Sequence, residues 1–302
     1  MLSGTMECVV AAKAALGEGP YWDHRNGRLY WMDVDSNELH LYDPGKGTDV
    51  IHSFERKVSA VVLAERGGWI LTMEDGIYRY MEHQPVELLA AVETGIPGNR
   101  LNDAKCDSRG RLWFGSMNRR FAGRDGSLYV MESAGEVRQV LSGIGISNGL
   151  AWNDSLGLMY YIDTLTKGID VMNYSLADGS VSGRRTVIRL AEDEGWPDGM
   201  TIDSEGMLWV AHWRGGCISR WNPHTGEQME KIEVPAHYVT SCTFGGENLD
   251  ELYITTACGY MSAEELERWP QAADCFGSSL GVRGREANRA AFFRRGKAGC
   301  LP

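Results

Sequence analysis

The chain has 302 residues, of which 43% are hydrophobic and 24% charged, and its formal net charge is −11. These values are typical of a globular protein with a full apolar core and exclude a disordered chain. The negative charge, with no basic face along the first 280 residues, argues against a nucleic-acid partner, because neutralising phosphates requires clustered lysine and arginine.

Targeting segments and the cysteine pattern indicate the compartment in which we expect the protein. Residues 1–20 lack a cationic segment followed by an apolar one, and no apolar run approaches the roughly 18 residues of a membrane helix. The seven cysteines are scattered and form no CxxC pair, which argues against a disulfide framework and a cysteine zinc site. We therefore expect a cytoplasmic protein in a reducing compartment, with no membrane partner, as a monomer or weak homo-oligomer.

A short pattern occurs six times along the chain: a turn, an aliphatic residue, then aromatic or β-branched residues. The copies are Gly27-Arg28-Leu29-Tyr30-Trp31, Gly68-Trp69-Ile70-Leu71, Gly110-Arg111-Leu112-Trp113-Phe114, Gly157-Leu158-Met159-Tyr160-Tyr161, Gly206-Met207-Leu208-Trp209-Val210 and Asp250-Glu251-Leu252-Tyr253-Ile254. Their aliphatic anchors lie roughly 41 to 49 residues apart, which is the period of a four-stranded propeller blade. The sequence therefore predicts an all-β fold, a six-bladed β-propeller of four-stranded antiparallel blades, as a single domain over residues 1–302.

Further elements follow from the same pattern. Turns such as Asp107-Ser108-Arg109-Gly110 and Asp203-Ser204-Glu205-Gly206 precede the copies, and we expect each to join two strands of one blade. Third strands are predicted at 38–42, 76–80, 127–130, 169–172 and 217–221. Residues 8–11 are expected to pair with the last blade, which removes an exposed sheet edge. One helix is predicted over 262–269, with Ser262 and Glu265 as its capping pair.

Polar residues recur at one position of this repeat. Counting back ten or eleven residues from the anchors reaches Glu18, Asn102, Asn148 and Asp198, and the same count lands near Ser59 and Cys242 in the other two blades. Because the innermost strand of each blade runs along the central channel, equivalent residues form a ring around the axis. Carboxylate and amide oxygens converging there match what Ca²⁺, Mg²⁺ or Mn²⁺ accepts, and Zn²⁺ is less expected from such ligands. A cation would also relieve the cost of two unpaired buried carboxylates.

Four ordered motifs carry a resemblance to a known family. Leu16–Trp22, Asn99–Asp103, Ser147–Leu150 and Pro197–Met200 resemble the regucalcin and gluconolactonase family of the senescence-marker-protein superfamily, and the match spans residues 7 to about 290. The resemblance implies a six-bladed propeller with one divalent ion held by Glu18, Asn148 and Asp198. It also implies that Arg100 and Asn102 face the substrate. Calcium is the ion we expect in crystals.

The chemistry implied is metal-dependent opening of a sugar lactone to the free acid. A metal polarises the lactone carbonyl and stabilises the oxyanion that forms when water attacks, and Asp198 is the candidate catalytic base. Two alternatives stay open: a metal-dependent phosphotriesterase acting on organophosphates, and a non-catalytic calcium-binding propeller.

Some features depart from the family pattern or stand outside it. Met117-Asn118-Arg119-Arg120 occupies a region where regucalcin has an acidic substrate contact, which leaves the sugar preference open. Trp22, Trp196 and Trp213 are candidates for contact with a sugar ring, and His212 is a weak site candidate. Residues 291–302 are expected to form an irregular tail.

Overall fold

The computed structural model describes residues 6–291, which form six four-stranded antiparallel sheets. Blade 1 consists of β2 (Gly17–Asp23), β3 (Arg28–Asp33), β4 (Glu38–Asp43) and β5 (Thr48–Ser53), and blade 2 of β6 (Val58–Leu63), β7 (Trp69–Met73), β8 (Gly76–Tyr80) and β9 (Glu87–Ala91). Blade 3 consists of β10 (Asn99–Cys106), β11 (Leu112–Asn118), β12 (Gly126–Ser133) and β13 (Glu136–Ile144), and blade 4 of β14 (Ser147–Asn153), β15 (Leu158–Asp163), β16 (Gly168–Tyr174) and β17 (Val181–Arg189). Blade 5 consists of β18 (Trp196–Ile202), β19 (Leu208–Trp213), β20 (Cys217–Asn222) and β21 (Glu227–Glu233), and blade 6 of β22 (Tyr238–Gly245), β23 (Glu251–Ala257), β24 (Cys275–Ser279) and the N-terminal β1 (Glu7–Val10).

The first strands of successive blades contact one another in a closed ring, β2, β6, β10, β14, β18, β22 and back to β2. This ring confirms the predicted six-bladed propeller. The six anchors all lie on the second strand of their blade, and the predicted third strands are β4, β8, β12, β16 and β20. The N-terminal strand β1 pairs antiparallel with β24, as expected, and so closes the last blade with a strand from the other end of the chain.

Aromatic side chains of the repeat pack between the blades. Trp31, Trp113 and Trp209 come from the second strands of blades 1, 3 and 5 and are at most 1% exposed. Burying an aromatic side chain of this size removes about 150–250 Å² from water, which favours folding by roughly 4–6 kcal/mol before entropy is counted. The core therefore lies between the sheets and leaves the inner strands free to present polar groups to the axis.

Short helical elements lie in the connections between strands at both ends of the blades. Helix α1 (Ala263–Arg268) has the predicted capping box, in which Ser262 Oγ accepts from Glu265 N and the Glu265 carboxylate accepts from Ser262 N. Two 3₁₀ turns lie at Asp154–Leu156 and Thr164–Thr166. No helix within residues 6–291 has the length and apolar character that a membrane crossing requires. Of the tail expected at 291–302, residues 292–302 lie outside the described residues.

Candidate active site

Every innermost strand carries a β-bulge, which in blades 1 to 5 lies at or next to the position that the repeat selects. The ladder between first and second strands shifts register after Glu18, at Ser59, at Asn102 and Asp103, after Asn148, and at Asp198 and Gly199. In blade 6 the bulge falls at Thr240. A bulge bends the strand and re-aims a side chain, and it is common beside active sites. The bulges thus turn the polar residues of the ring out of the regular strand pattern.

Blade 6 departs from the count made on the sequence. The bulge brings Thr240 to the axis position, and its hydroxyl donates to Gly17 O at 2.6 Å. Cys242, which the count selects, lies two residues further along the strand, and its thiol contacts Trp209 O in the neighbouring blade. In blade 6 the bulge lies twelve residues before the anchor Leu252, since 252 − 240 = 12, whereas the count uses ten or eleven residues.

The five residues singled out from the sequence meet at the floor of one cavity. Glu18, Arg100, Asn102, Asn148 and Asp198 all line a cavity of about 340 Å³ at the end of the propeller where the inner strands begin. This volume lies in the range of small-molecule sites. Asn148 and Asp198 are each only 5% exposed, while Glu18 and Asn102 are partly exposed to the cavity.

Close approach of the inner strands depends on two glycines. A Cβ on Gly149 would lie 2.5 Å from Ile162 Cδ1 and 2.9 Å from Asp198 O, and a Cβ on Gly199 would lie 2.1 Å from Ser241 Oγ. No side chain fits at these distances. The glycines that follow Asn148 and Asp198 therefore let neighbouring blades bring these two side chains together.

A chain of hydrogen bonds fixes the amide side chains of the floor. Arg100 Nη1 donates to Asn102 Oδ1 at 2.7 Å, and Asn102 Nδ2 donates to Asn148 Oδ1 at 3.0 Å. Asn148 Nδ2 then donates to Thr164 Oγ1 at 2.8 Å, whose hydroxyl donates to Pro197 O at 2.8 Å. Both amides therefore have their oxygen and nitrogen ends assigned by partners. Asn148 Oδ1 keeps one lone pair free for a further ligand.

The two carboxylates of the floor have no comparable support. Asp198 Oδ1 is buried without a hydrogen-bond partner among the described residues. Among the described residues the Glu18 carboxylate accepts one hydrogen bond, from the adjacent Gly19 N to Oε2 at 3.2 Å. Burial raises the pKa of Glu18 to about 8, and the charge of Asp103 adds to the shift. Burial also raises the pKa of Asp198 well above its ordinary value, with the charge of Glu18 as the next cause. Two such groups favour a cation between them.

Arg100 is the buried cation beside this pair. It is 8% exposed, and burial lowers the pKa of its guanidinium, an effect that the charges of Tyr260, Asp35 and Glu18 oppose. Its Nη1 also donates to Leu101 O at 3.0 Å. The remaining donors, on Nε and Nη2, have no protein partner among the described residues. They are the donors available to a molecule in the cavity.

The walls of the cavity are mainly apolar and aromatic, and most of the residues that form them were not predicted from the sequence. They comprise Leu16, Met117, Phe121, Ile146, Thr164, Leu165, Trp196, Trp213, Arg214, Tyr238 and Tyr260. Several of them lie two residues before an axis position or in the turn after a second strand. The residues two positions before an axis residue lie on the cavity side of the strand, because side chains alternate between the two faces of a sheet. The repeat therefore contains a signal for these wall residues. The turns have no such periodicity.

Other candidates take different places. Trp196 and Trp213 line the cavity, but Trp22 is buried and stacks on Tyr253 at 5.3 Å between blades. His212 is fully buried: its Nδ1 lies 2.8 Å from Glu194 O and its Nε2 lies 2.6 Å from Ser219 Oγ. We assign His212 to the support of blade 5.

The described residues hold no group of three or more His, Cys, Asp and Glu side chains that could bind one metal ion. The candidate ligand set has only two carboxylates, and an amide oxygen is its third member. All three donors are oxygens, and the unpartnered Asp198 Oδ1 points to a missing ligand in the cavity floor. The set fits a hard divalent cation.

Known proteins are similar to this chain in sequence and in fold. Residues 16–258 match the model of the SMP-30/gluconolactonase/LRE-like region. A Bacillus subtilis protein with the provisional name sugar lactone lactonase YvrE is 39% identical over 282 residues, covering 92% of this chain and 97% of the relative. Regucalcin of Xenopus laevis is 36% identical over 291 residues, covering 94% of this chain and 97% of the relative.

A solved structure described as a calcium-binding protein, regucalcin from Agrobacterium tumefaciens, superimposes with a TM-score of 0.90 at 25% identity and covers 95% of this chain and 97% of its own. Sequence and fold agree over nearly the whole of both chains. The chain therefore belongs to the SMP-30/gluconolactonase/LRE-like family.

Proposed function

We propose that this protein is a metal-dependent hydrolase that opens a sugar lactone, of the aldonolactone type, to the free acid. The observation that carries the proposal is the pair of buried carboxylates, Glu18 and Asp198, at the floor of a cavity sized for a small molecule. The name of the Bacillus subtilis relative supports the substrate class. The name of the Agrobacterium tumefaciens structure supports a calcium ion.

Glu18, Asn148 and Asp198 would hold the ion. Asp198 offers an oxygen with no other partner, Glu18 offers a carboxylate supported only by adjacent backbone, and Asn148 offers an amide oxygen whose direction is fixed by Asn102 and Thr164. When bound, a divalent ion supplies Lewis-acid activation of the lactone carbonyl and balances the two negative charges. Ca²⁺, Mg²⁺ and Mn²⁺ suit these oxygens, and Zn²⁺ suits them less.

The chain's own residues perform the proton transfer and the positioning. Asp198 accepts a proton from the water that attacks the lactone carbonyl carbon, and it returns that proton to the ring oxygen when the carbon–oxygen bond breaks. Arg100 donates from Nε and Nη2 to substrate oxygens, while its Nη1 holds Asn102 in place. The apolar walls exclude other water and strengthen these polar contacts. One water is consumed, and the product is the open hydroxy acid.

A chelation experiment tests metal dependence and substrate together. The protein is stripped of metal, and lactone opening is followed with a pH indicator after adding back Ca²⁺, Mg²⁺, Mn²⁺ or Zn²⁺. We expect the stripped protein to lose turnover of aldonolactones and at least one ion to restore it. Turnover that survives complete chelation would contradict the proposal.

Two competing functions are outcomes of the same assay. Phosphotriester hydrolysis also needs a polarised electrophile, so organophosphates are included in the panel. Turnover of those compounds alone would replace lactonase with phosphotriesterase. Metal-saturated protein that leaves every substrate at its background rate would favour a calcium-binding role, which agrees with the name of the Agrobacterium tumefaciens structure.

A further inference from the structure

One charged side chain at the cavity mouth has no polar partner. Arg214 lies in the turn between β19 and β20, lines the cavity and is exposed. Its guanidinium carbon lies 5.6 Å from the centre of the Tyr238 ring, and its side chain forms no hydrogen bond or ion pair with the described residues. The guanidinium therefore keeps its hydrogen-bond donors free while its plane is supported by an aromatic face.

Three other cations near the mouth, Arg119, Lys57 and Lys167, are already paired. Arg119 Nη2 donates to Glu74 at 2.8 Å and its Nε to Asn99 O at 2.9 Å. Lys57 pairs with Asp35, the acceptor of the Tyr260 hydroxyl. Lys167, stacked on Trp196, pairs with Glu192 at 2.7 Å. Arg119 thus does not supply the free charge that its place after β11 suggests.

The carboxylate that interacts with Arg214 is held elsewhere. The charge of Arg214 helps to lower the pKa of Glu265, but the first cause of that shift is the backbone hydrogen bond from Ser262. The Glu265 carboxylate accepts from Ser262 N at 2.8 Å as part of the capping box of α1. Glu265 therefore attracts Arg214 by its charge but forms no direct ion pair with it among the described contacts.

The backbone holds Arg214 in a fixed position. Its φ of 60° lies in the left-handed region, which non-glycine residues seldom adopt. The next residue, Gly215, has no space for a side chain, because a Cβ there would lie 2.5 Å from His212 Cβ and 2.6 Å from Glu194 O.

Arg214 and Asp198 belong to the same blade, which sets their separation. Trp213 pairs with Trp196, and the bulge that contains Asp198 lies opposite the stretch between Val210 and His212. Arg214 is therefore about three residues, or roughly 10 Å, from the floor along the strand direction. A six-carbon substrate with its carbonyl at the floor, together with the arginine side chain, spans that gap.

We propose that Arg214 is a specificity residue that binds a free carboxylate at the far end of the substrate, so that the preferred substrates are lactones of sugar dicarboxylic acids. The proposal rests on the lactonase function above. Arg214 forms charge-assisted hydrogen bonds to that carboxylate, and Tyr238 keeps the guanidinium plane in place. The reaction at the floor is unchanged by this contact.

A matched pair of lactones tests the proposal. D-galactono-1,4-lactone and D-galactaro-1,4-lactone share the ring and differ at carbon six, which is an alcohol in one and a carboxylate in the other. We expect Arg214→Ala to lower kcat/KM for the galactarolactone by about 10- to 100-fold, mainly through KM, and to change the value for the galactonolactone less than about 2-fold. Arg214→Lys keeps the charge without the planar fork and should give an intermediate loss.

Arg268→Ala is the matched control. Arg268 stacks on Trp269 at 5.9 Å, an exposed arginine on an aromatic ring like Arg214, but it lies outside the cavity lining. This variant should leave both lactones unaffected. Equal losses for the two lactones in Arg214→Ala, or no loss for either, would overturn the role of Arg214.

A binding measurement separates this proposal from the lactonase proposal. Calorimetry with galactarate and galactonate, the open acids, requires no turnover. If the protein opens neither lactone, the lactonase function fails, yet a preference for galactarate that Arg214→Ala removes would still support the carboxylate contact. Equal binding of both acids by the unaltered protein would overturn it.

Discussion

Buried carboxylates occur in two settings in this propeller, and the settings differ in the hydrogen-bond donors that surround the carboxylate. Asp107 and Asp203 lie in the turns between the first two strands of blades 3 and 5 and are fully buried. Each accepts two backbone hydrogen bonds on Oδ1 and accepts on Oδ2 from a tryptophan indole and an arginine: Trp113 and Arg111 in blade 3, Trp209 and Arg220 in blade 5. The axis carboxylates, Glu18 and Asp198, are buried near each other without such donors.

The comparison separates a structural carboxylate from a functional one. At Asp107 and Asp203 hydrogen bonds and an arginine compensate the loss of water, so these side chains are part of the structural framework. At the axis the described residues supply less, the Gly19 N–H to Glu18 and the nearby charge of Arg100, and the pKa of both groups still rises. Under the proposed function, a divalent cation completes the axis site. In both settings carboxylates are withdrawn from bulk water, and the neighbouring groups distinguish their roles.

The largest effect is expected at Asp198. Asp198→Asn keeps the shape but removes a ligand and the proposed base, so kcat/KM for aldonolactones should fall by about 10³-fold or more. The same change removes one of two repelling carboxylates, so the metal-free variant should unfold at a higher temperature than the metal-free parent. Kinetics and calorimetry check the two parts. Wild-type kcat in a variant with metal still bound would refute the base role of Asp198.

The reverse pattern is expected at Asp107. Asp107→Ala leaves Arg111 buried without its partner and should lower the free energy of unfolding by about 3–5 kcal/mol, measured by urea titration. Activity per folded molecule should stay within about 2-fold. Asp203→Ala offers a second test in blade 5. Loss of turnover in folded, metal-loaded Asp107→Ala would erase the distinction between the two settings.

The stability of the metal-free protein should depend on pH, because its axis carboxylates are then buried without a cation. The ordinary pKa of Glu18 is 4.5 and its folded value is about 8, so between these pH values the folded protein holds a proton that the unfolded chain has lost. The stability of metal-free protein should therefore fall as pH rises from about 4.5 to 8, then level off. Calcium at a hundred times its Kd should raise Tm by about 5 °C at pH 8. A flat profile in chelated protein would contradict this account.

Substitution of Asn102 tests the hydrogen-bond chain. Asn102→Ala removes the acceptor of Arg100 Nη1 and the donor to Asn148 Oδ1. Both Arg100 and Asn148 then lose orientation, and kcat/KM should fall by about 10- to 100-fold with metal still bound. Steady-state kinetics at saturating metal measure it. An unchanged kcat/KM would show that the chain does not position the floor.

The smallest effect is expected at Thr164, which follows Asn148 in the hydrogen-bond chain. Thr164→Val removes the acceptor of Asn148 Nδ2 and should weaken metal binding about 10-fold, measured by calorimetry. Thr166→Val is the control, because Thr166 lies in the same 3₁₀ turn and bonds only local backbone. Similar metal affinities for the two variants would exclude a role of Thr164 in positioning Asn148.

The strand pattern and the axis residues could be predicted from the sequence because a propeller repeats the same structural unit in each blade. Six turn-and-strand copies predict six blades, and a constant offset from their anchors reaches Glu18, Asn102, Asn148 and Asp198. The turn role of Asp107 was also predicted correctly, since its Oδ1 accepts backbone N–H groups. Its second oxygen, which holds Arg111 and Trp113, was not predicted, because that contact depends on how neighbouring strands align.

The bulges and the cavity mouth were out of reach for a different reason. In blade 6 the bulge lies twelve residues before its anchor, so an offset of ten reached Cys242 and not Thr240. Phe121, Arg214 and Tyr260 lie in connections of unequal length that carry no period. Only three-dimensional closure brings such residues to one rim, and the position of Arg214 in the cavity lining is visible only in the structure.

The most direct test of the central claim is a crystal of the protein soaked in Mn²⁺ and measured at a wavelength where manganese scatters anomalously. The account predicts one strong anomalous peak at the axis, with oxygens of Glu18, Asn148 and Asp198 as its ligands. The peak should be absent in Asp198→Asn crystals. An axis free of anomalous density at saturating Mn²⁺, or a peak bound by other residues, would contradict it.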